Sequence, residues 1–181
     1  MAGSWRTVYL SLGSNTGDRR RNLQRAVAAL QAAGLRRLRC SSLYETQPVG
    51  GPPQRFFLNA VVEAQTCLMP LSLLQHLKGI ERALGRRPAC HWGPRPMDID
   101  ILFYGRLRIR HPQLLIPHPE LPRRSFVLLG LHELTPFWRD PATSRSIREL
   151  LGRASGLGLV RRVEGPEWCS GGLDIANKKR I

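Results

Sequence analysis

The spacing of hydrophobic positions changes several times along the chain, and each change predicts a new element. Four runs have the composition or alternation of strands, and they cover residues 6–15, 35–46, 56–66 and 97–105. Helical spacing of apolar residues begins after Asp18, an expected N-cap, and ends at Gly34. A second helical pattern begins at Pro70 and ends at Gly85. The predicted order is therefore β-α-β-β-α-β.

This order predicts an α+β protein, a ferredoxin-like βαββαβ sandwich with a C-terminal extension. The second half of residues 116–134 is also expected to be helical. Periodicity fades after about Leu151, and the chain ends in the charged run NKKRI. We therefore expect one domain over residues 1–163 and a basic, loose tail over residues 164–181.

The formal net charge is +15 over 181 residues, and most of the positive charge comes from arginine. Such a charge attracts polyanions, and the planar arginine side chain suits phosphate oxygens. Arginines spread over solvated faces would give the same total. Net charge alone therefore leaves both interpretations open.

The apolar pattern predicts neither a membrane protein nor an exported one. No run approaches the roughly 18 apolar residues of a membrane helix, and the first apolar stretch is too short for a signal peptide. The four cysteines are widely spaced and form no CxxC pair, so we expect buried or idle thiols in a reducing compartment. These features indicate a cytoplasmic protein.

Two aspartates, Asp98 and Asp100, lie within the fourth predicted strand, although aspartate is rare in strands. Their spacing places both on one face, with Ile99 and Ile101 facing the core. Like charges side by side repel unless a cation lies between them, and paired carboxylates beside phosphate-binding groups are typical of Mg²⁺ sites. The same pattern could instead come from salt bridges on the polar face of an edge strand. Taken alone, two spaced aspartates favour this second interpretation.

The preceding loop, rich in arginine and proline, changes this balance. Arg86, Arg87 and Arg95 flank the aspartates, and arginines together with Mg²⁺ can neutralise a transferring phosphoryl group. Trp92 offers a flat face for a heterocycle, or it anchors the loop. Asn59, in mid-strand, either reads the edge of an amide-like ring or bonds a neighbouring loop.

Two further groups of polar residues have more than one interpretation. His118, between two prolines, is a phosphate donor, a general acid or base, or a turn residue. Lys78 and Glu81 lie three residues apart on the second helix, which alone favours an ordinary surface ion pair. Neither group identifies a function without its neighbours.

Taken together, these segments resemble the 6-hydroxymethyl-7,8-dihydropterin pyrophosphokinase family. The resemblance covers about residues 8–134 and rests on SLGSNTGDRRRNL, SSLYETQPVGGPPQRFFLNAVV, LKGIERALGRR, HWGPRPMDIDILFYG and IPHPELPRRSFVLLGL. WGPR followed by DIDIL is far more specific than two spaced aspartates. The resemblance implies transfer of pyrophosphate from ATP to the hydroxymethyl group of the dihydropterin, with AMP as the other product, in folate biosynthesis.

The resemblance also implies roles for individual residues. Asp98 and Asp100 would hold two Mg²⁺ ions and, with Arg86 and Arg95, form the catalytic set. The implied pterin-binding residues are Thr46, Pro48, Val49, Phe57, Asn59, Trp92 and Phe126. The implied ATP-binding residues are Lys78, Glu81, Arg86, Trp92, Arg95, Ile101, His118 and Arg124.

Some features depart from the family pattern, and two other classes of function are alternatives. The loop is compressed, so Arg87 is the candidate for the family's second basic position, and Pro96 stands where family members often carry Thr or Ser. A ferredoxin-like RNA binder would need the aromatic signature that RFFLNAVV lacks. A different Mg²⁺-dependent phosphoryl or nucleotidyl transferase is the remaining alternative. We expect small-molecule substrates, neither nucleic acid nor membrane as a partner, and possible association with other folate-pathway enzymes.

Overall fold

The fold is built on one antiparallel sheet with helices on both faces, in a computed structural model that describes residues 4–48, 50–87, 93–154 and 159–172. The strands are β1 Arg6–Ser14, β2 Arg36–Cys40, β3 Leu43–Thr46, β4 Phe57–Thr66, β5 Asp98–Tyr104, β6 Ile109–His111, β7 Leu114–Ile116 and β8 Val160–Glu164. The helices are α1 Arg19–Ala32, α2 Pro70–Ala83, α3 Ser125–Leu134 and α4 Ile147–Arg153, with 3₁₀ turns at Leu121–Arg123 and Pro166–Gly172.

Strand β1 lies inside the sheet, whose order is β5-β1-β4-β3-β8, with β2 also pairing with β4. All of these pairs are antiparallel. Gly13 of β1 lies opposite Asn59 on one side and Asp98 on the other. Ser11 lies opposite Asp100. The register therefore places the polar residues of β4 and β5 in one region of the sheet.

The two faces of the sheet bury separate apolar clusters. One face packs against α1 and α2, and its cluster includes Leu10, Val62 and Ile99. The other face packs against α3 and α4, and its cluster includes Tyr9 and Phe103. This alternation along β1 follows from the two-residue period of a strand. No helix in the described ranges is long and apolar enough to cross a membrane.

The helix boundaries agree with the sequence signals. Asp18 caps α1, because its carboxylate accepts a 3.0 Å hydrogen bond from the backbone N–H of Arg21. Pro70 occupies the first turn of α2, and Gly85 follows that helix with a φ of 96°. The helix expected in the second half of residues 116–134 is α3. The predicted class of mixed helices and strands is confirmed.

The second predicted strand, residues 35–46, is divided into β2 and β3 at Ser41 and Ser42. The Ser41 hydroxyl accepts a 2.9 Å hydrogen bond from the N–H of Val61, whose carbonyl accepts 2.8 Å from Ser41 N–H. The Val61 N–H, which would bond a backbone carbonyl in a regular ladder, is thus bonded to a side-chain oxygen. Gly130 of α3 packs on this break, since a Cβ there would lie 2.7 Å from the Val61 side chain.

The C-terminal part of the chain is more ordered than its weak periodicity indicates. Strand β8 pairs with β3, and Trp168 in the following 3₁₀ turn is fully buried. Its indole N–H donates 2.8 Å to the Ser41 carbonyl, and Gln24 donates 2.8 Å to the Trp168 carbonyl. The expected loose tail therefore does not hold for residues 164–172, because one buried indole anchors them. Residues 173–181 lie outside the described ranges, and for them the tail stays a prediction.

We expect Trp168→Ala to lower the free energy of unfolding by about 3–5 kcal/mol, because it removes a fully buried indole from the core. Urea denaturation followed by circular dichroism measures the change. Phe137→Ala is the matched control, since that ring is 75% exposed and its removal should cost under about 1 kcal/mol. Equal and small losses in both variants would contradict the anchoring role of Trp168.

Candidate active site

Two carboxylates face the same region from β5, as the sequence predicts. The side chains of Asp98 and Asp100 are 25% and 24% exposed, whereas Ile99 and Ile101 are buried against the α1 and α2 face. The register between β1 and β5 then shifts after Ile101, so that the consecutive residues Leu102 and Phe103 both join the opposite cluster. The polar stretch of β5 thus ends at an irregularity, a common neighbour of active sites.

Arginines neutralise Asp98. Arg86 Nη1 lies 2.5 Å from Asp98 Oδ1, and Arg95 Nη1 lies 3.1 Å from Asp98 Oδ2. Partial burial alone would raise the pKa of Asp98, but the charges of Arg86, Arg95 and Lys78 outweigh burial and hold the pKa below its usual value. Asp98 is therefore a carboxylate at neutral pH.

Glu81, on α2, holds Arg86 and strand β5 in place beside Asp98. Its carboxylate is 2% exposed and accepts hydrogen bonds from Ile99 N–H at 2.7 Å and Lys78 Nζ at 2.8 Å, and it pairs with Arg86 Nη1 at 2.7 Å. A buried charge is tolerated when partners of opposite charge and donors surround it. Glu81 therefore holds β5 against α2 and fixes Arg86 between itself and Asp98.

Asp100 has its own cationic neighbours. Arg124 Nη1 donates 3.0 Å to Asp100 Oδ2, and His118 Nε2 lies 3.8 Å from the same oxygen. Glu120 N–H approaches His118 Nδ1 at 3.2 Å, which assigns the proton of the neutral ring to Nε2. Burial lowers the pKa of His118, although Asp100 opposes that effect. The neutral ring thus presents an N–H toward Asp100.

Asn59 marks the other half of the site. Its Nδ2 donates 2.8 Å to the Thr46 hydroxyl and contacts the Tyr44 carbonyl at 3.5 Å, so the amide is oriented by strand β3. Its Oδ1 faces Gly13, where a Cβ would lie only 2.9 Å away. The same Cβ would lie 3.7 Å from the Phe57 ring. Gly13 therefore leaves room beside both side chains.

Asn15 is a residue of this region that the sequence analysis missed. It is 1% exposed, its Oδ1 accepts 2.8 Å from Arg95 N–H, and its own N–H donates 3.2 Å to the Arg95 carbonyl. Its Nδ2 donates 2.7 Å to Gln54 Oε1. Asn15 thus ties the end of β1 to both flanking loops. An asparagine after a strand looks like an ordinary turn residue in the sequence. Only its position at the end of β1 could have indicated a role in the site.

Comparison with known proteins decides the family. Residues 9–136 match the family model described as 7,8-dihydro-6-hydroxymethylpterin-pyrophosphokinase (HPPK). The chain belongs to the HPPK family. The motif-based resemblance is thereby confirmed, and the family description agrees with the predicted pterin pyrophosphokinase.

Relatives of this HPPK-family chain carry matching names. A Bacillus subtilis 2-amino-4-hydroxy-6-hydroxymethyldihydropteridine pyrophosphokinase is 46% identical over 138 residues, which are 76% of this chain and 83% of that protein. A mitochondrial folate synthesis bifunctional protein of Pisum sativum is 39% identical over 160 residues, or 88% of this chain. The match spans only 31% of the pea protein.

Solved structures agree with the fold of an HPPK-family protein. Plasmodium falciparum HPPK-DHPS, crystallised with pteroate, superposes with a TM-score of 0.69 at 20% identity. The superposition covers 84% of this chain and 43% of that one. At this identity the likeness shows the fold alone.

The structure brings together most of the nucleotide-side and catalytic residues that HPPK membership implies, but two differ in placement. Ile101 faces the apolar core because it alternates with Asp100, so its side chain does not line the site. Glu81 is buried under Lys78 and Arg86 and supports the site rather than lining it. Arg87 is exposed next to Arg86.

The residues that the resemblance assigns to pterin binding lie at the ends of β3 and β4, in the adjoining loop and on α3. Thr46 and Asn59 are buried and bonded to each other, whereas Pro48, Phe57 and Phe126 are half-buried. The expected stacking of a pterin between Phe57 and Phe126 stays a prediction. The remaining two, Val49 and Trp92, lie outside the described residues.

We expect Glu81→Ala to lower the free energy of unfolding by about 3 kcal/mol or more, because it leaves the buried Ile99 N–H without its acceptor and Arg86 without one of its two carboxylate partners. Chemical denaturation provides the value. Glu120→Ala is the control, since its 3.5 Å pair with Arg123 is exposed and should contribute under about 1 kcal/mol. Similar small losses for both variants would contradict the supporting role of Glu81.

Proposed function

We propose that this chain transfers the β,γ-pyrophosphoryl group of ATP to the hydroxymethyl oxygen of 6-hydroxymethyl-7,8-dihydropterin in folate biosynthesis, with AMP as the second product. The observation that carries the proposal is the convergence of Arg86, Arg95 and Arg124 on two carboxylates of one strand face. Such a cluster suits a polyphosphate accompanied by a divalent cation.

We propose Asp98 and Asp100 as ligands of two Mg²⁺ ions. The donor set fits, because both groups are oxygen ligands on one face and Asp98 is ionised at neutral pH. The described residues contain no group of three or more His, Cys, Asp or Glu side chains that could form a metal cage. Mg²⁺ usually takes one or two protein carboxylates and keeps its other positions for water and substrate phosphates. When bound, the ions would neutralise the phosphate chain and align the attacking oxygen with the β-phosphorus.

The arginines have two successive roles in this proposal. Without ligand, Arg86 and Arg95 neutralise Asp98, while Arg124 neutralises Asp100. With ATP present, phosphate oxygens offer these arginines new acceptors, and the aspartates become available to cations. The released guanidinium groups then stabilise the charge on the transferred group.

The nucleotide is held on the β5, α2 and α3 side of the site. Neutral His118 can donate through Nε2 to a phosphate oxygen, beside Arg124. Lys78, whose side chain is 41% exposed, can turn from Glu81 toward the nucleotide. Glu81 acts as a positioning residue, and Ile101 contributes only its backbone. Trp92 completes the proposed ATP and pterin contacts.

The pterin is held at the β3 and β4 side. Asn59 Oδ1 faces the space beside Gly13 and can accept a hydrogen bond from the ring edge, while Thr46 fixes the orientation of the amide. Phe57 and Phe126 would stack on the two faces of the ring. Pro48 and Val49 would close its rim. These contacts would hold the hydroxymethyl oxygen in line with the phosphate chain.

We further propose that the core is a ferredoxin-like βαββαβ unit, with β2 and β3 together as the second strand. The antiparallel order β5-β1-β4-β3, with α1 and α2 in the crossovers, supports this assignment. A cytoplasmic location and the lack of nucleic-acid or membrane partners are further parts of the proposal. The pea relative is labelled mitochondrial. Names such as bifunctional FolKE in Lactococcus lactis support association with other folate enzymes.

The nucleotide product tests the proposed reaction. Purified protein with ATP, Mg²⁺ and 6-hydroxymethyl-7,8-dihydropterin should form AMP in a one-to-one ratio with the pterin consumed, because attack at the β-phosphorus leaves AMP. Chelation of Mg²⁺ should stop both changes. Chromatography of the nucleotides and pterins provides the measurement.

Asp98→Asn and Asp100→Asn should each reduce AMP formation by about 100-fold or more, because each removes a charged metal ligand. Glu167→Gln makes the same charge change on the exposed 3₁₀ turn, and its rate should equal that of the unaltered protein. ADP as the product would indicate a different phosphoryl transferase. A pterin-independent reaction, or no reaction from folded protein, would likewise overturn the proposal.

A further inference from the structure

Two cysteines lie in the region where the C-terminal 3₁₀ turn packs against α1 and the end of β2. Cys40 ends β2 and is buried, and half-buried Cys169 in the 3₁₀ turn packs against the apolar cluster that contains Cys40. Each thiol is the main influence on the pKa of the other, as expected for two side chains that lie next to each other. The fold thus brings together two cysteines that are far apart in the sequence.

Neighbouring bonds hold the two cysteines in place. Trp168 donates 2.8 Å to the carbonyl of Ser41, so the residues adjacent to both cysteines are linked directly. Gln24 of α1 also binds the Trp168 carbonyl at 2.8 Å. These bonds hold the backbone next to each cysteine in place, so the disulfide would have to form by rotation of the two side chains.

We propose that Cys40 and Cys169 are a redox-modification site that forms an intramolecular disulfide when the protein meets a low-molecular-weight disulfide. The bond would covalently join the C-terminal 3₁₀ turn to β2. Strand β8, which precedes that turn, pairs Val160 with Thr46 of β3. The disulfide would therefore strengthen the attachment of a segment that borders the proposed pterin side.

The two thiols differ in reactivity, which sets the order of the steps. A hydrogen bond from Cys40 lowers the pKa of Cys169 to about 7, and Cys169 is the more accessible sulfur. The hydrogen bond to Cys169, together with burial, raises the pKa of Cys40. Cys169 is therefore the attacking thiolate, and Cys40 is the resolving thiol.

The exchange is balanced in atoms and electrons. The Cys169 thiolate attacks one sulfur of the small disulfide and displaces a thiolate, which leaves a mixed disulfide on Cys169. Cys40 gives its proton to the departing sulfur and attacks Cys169, which releases the second small thiol. The two protein thiols lose two electrons, and the small disulfide gains them as it becomes two thiols.

Oxidised glutathione is the probe that tests this site on the full chain. After incubation, unreacted thiols are blocked with iodoacetamide, and the protein is digested and analysed by mass spectrometry without reductant. We expect a peptide containing Cys40 linked to one containing Cys169, and a loss of two of the four free thiols. The thermal midpoint of the oxidised protein should exceed that of the reduced protein by roughly 5–15 °C, and a reductant should reverse the shift.

Cys169→Ala and Cys40→Ala should both abolish the linked peptide and the thermal shift, and Cys169→Ala at the half-buried position keeps the test valid if Cys40→Ala fails to fold. Cys67→Ala, which removes a thiol elsewhere, should leave both signals unchanged. A bridge to Cys67 or Cys90, a disulfide between chains, or a persistent glutathione adduct on Cys169 would overturn the proposal. An unchanged thiol count would also overturn it.

Discussion

The antiparallel pairing of β1 with both β4 and β5 is the constraint on which the site depends. It places Gly13 between Asn59 and Asp98, which joins the amide and carboxylate halves of the site across one strand. A slip of one residue would turn Asp98 and Asp100 into the apolar core and bring the neighbouring isoleucines to the surface. Burial of Ile99 and Ile101 therefore stabilises the register that exposes the carboxylates.

The same register brings each acidic residue of the site next to a cationic partner. Arg86 bridges Glu81 and Asp98, while Arg124 neutralises Asp100. If the buried Glu81 carboxylate moved away, Ile99 N–H would lose its acceptor, whereas the partly exposed aspartates can exchange partners. The proposed function uses this difference, with Glu81 as a fixed support and the aspartates as exchangeable ligands.

Much of the fold and part of the site follow from local sequence signals. The helix caps, the four core strands and the alternation of Asp98 with Ile99 depend on neighbouring residues, and the structure agrees with them. Other features depend on distant partners. The break at Ser41 needs Val61, the burial of Glu81 needs β5, and the role of Asn15 needs Arg95. The anchoring of the C-terminal segment depends on the pairing of β8 with β3 and on Trp168, which gives no periodic signal.

The central claim is that Asp98 and Asp100 together hold two divalent cations beside the nucleotide. Manganese titration monitored by electron paramagnetic resonance, with a non-hydrolysable ATP analogue and the dihydropterin present, counts the bound ions directly. The account predicts two Mn²⁺ per chain for the unaltered protein, compared with one or none for Asp98→Asn and Asp100→Asn. Two ions bound with unchanged affinity in both variants would contradict it.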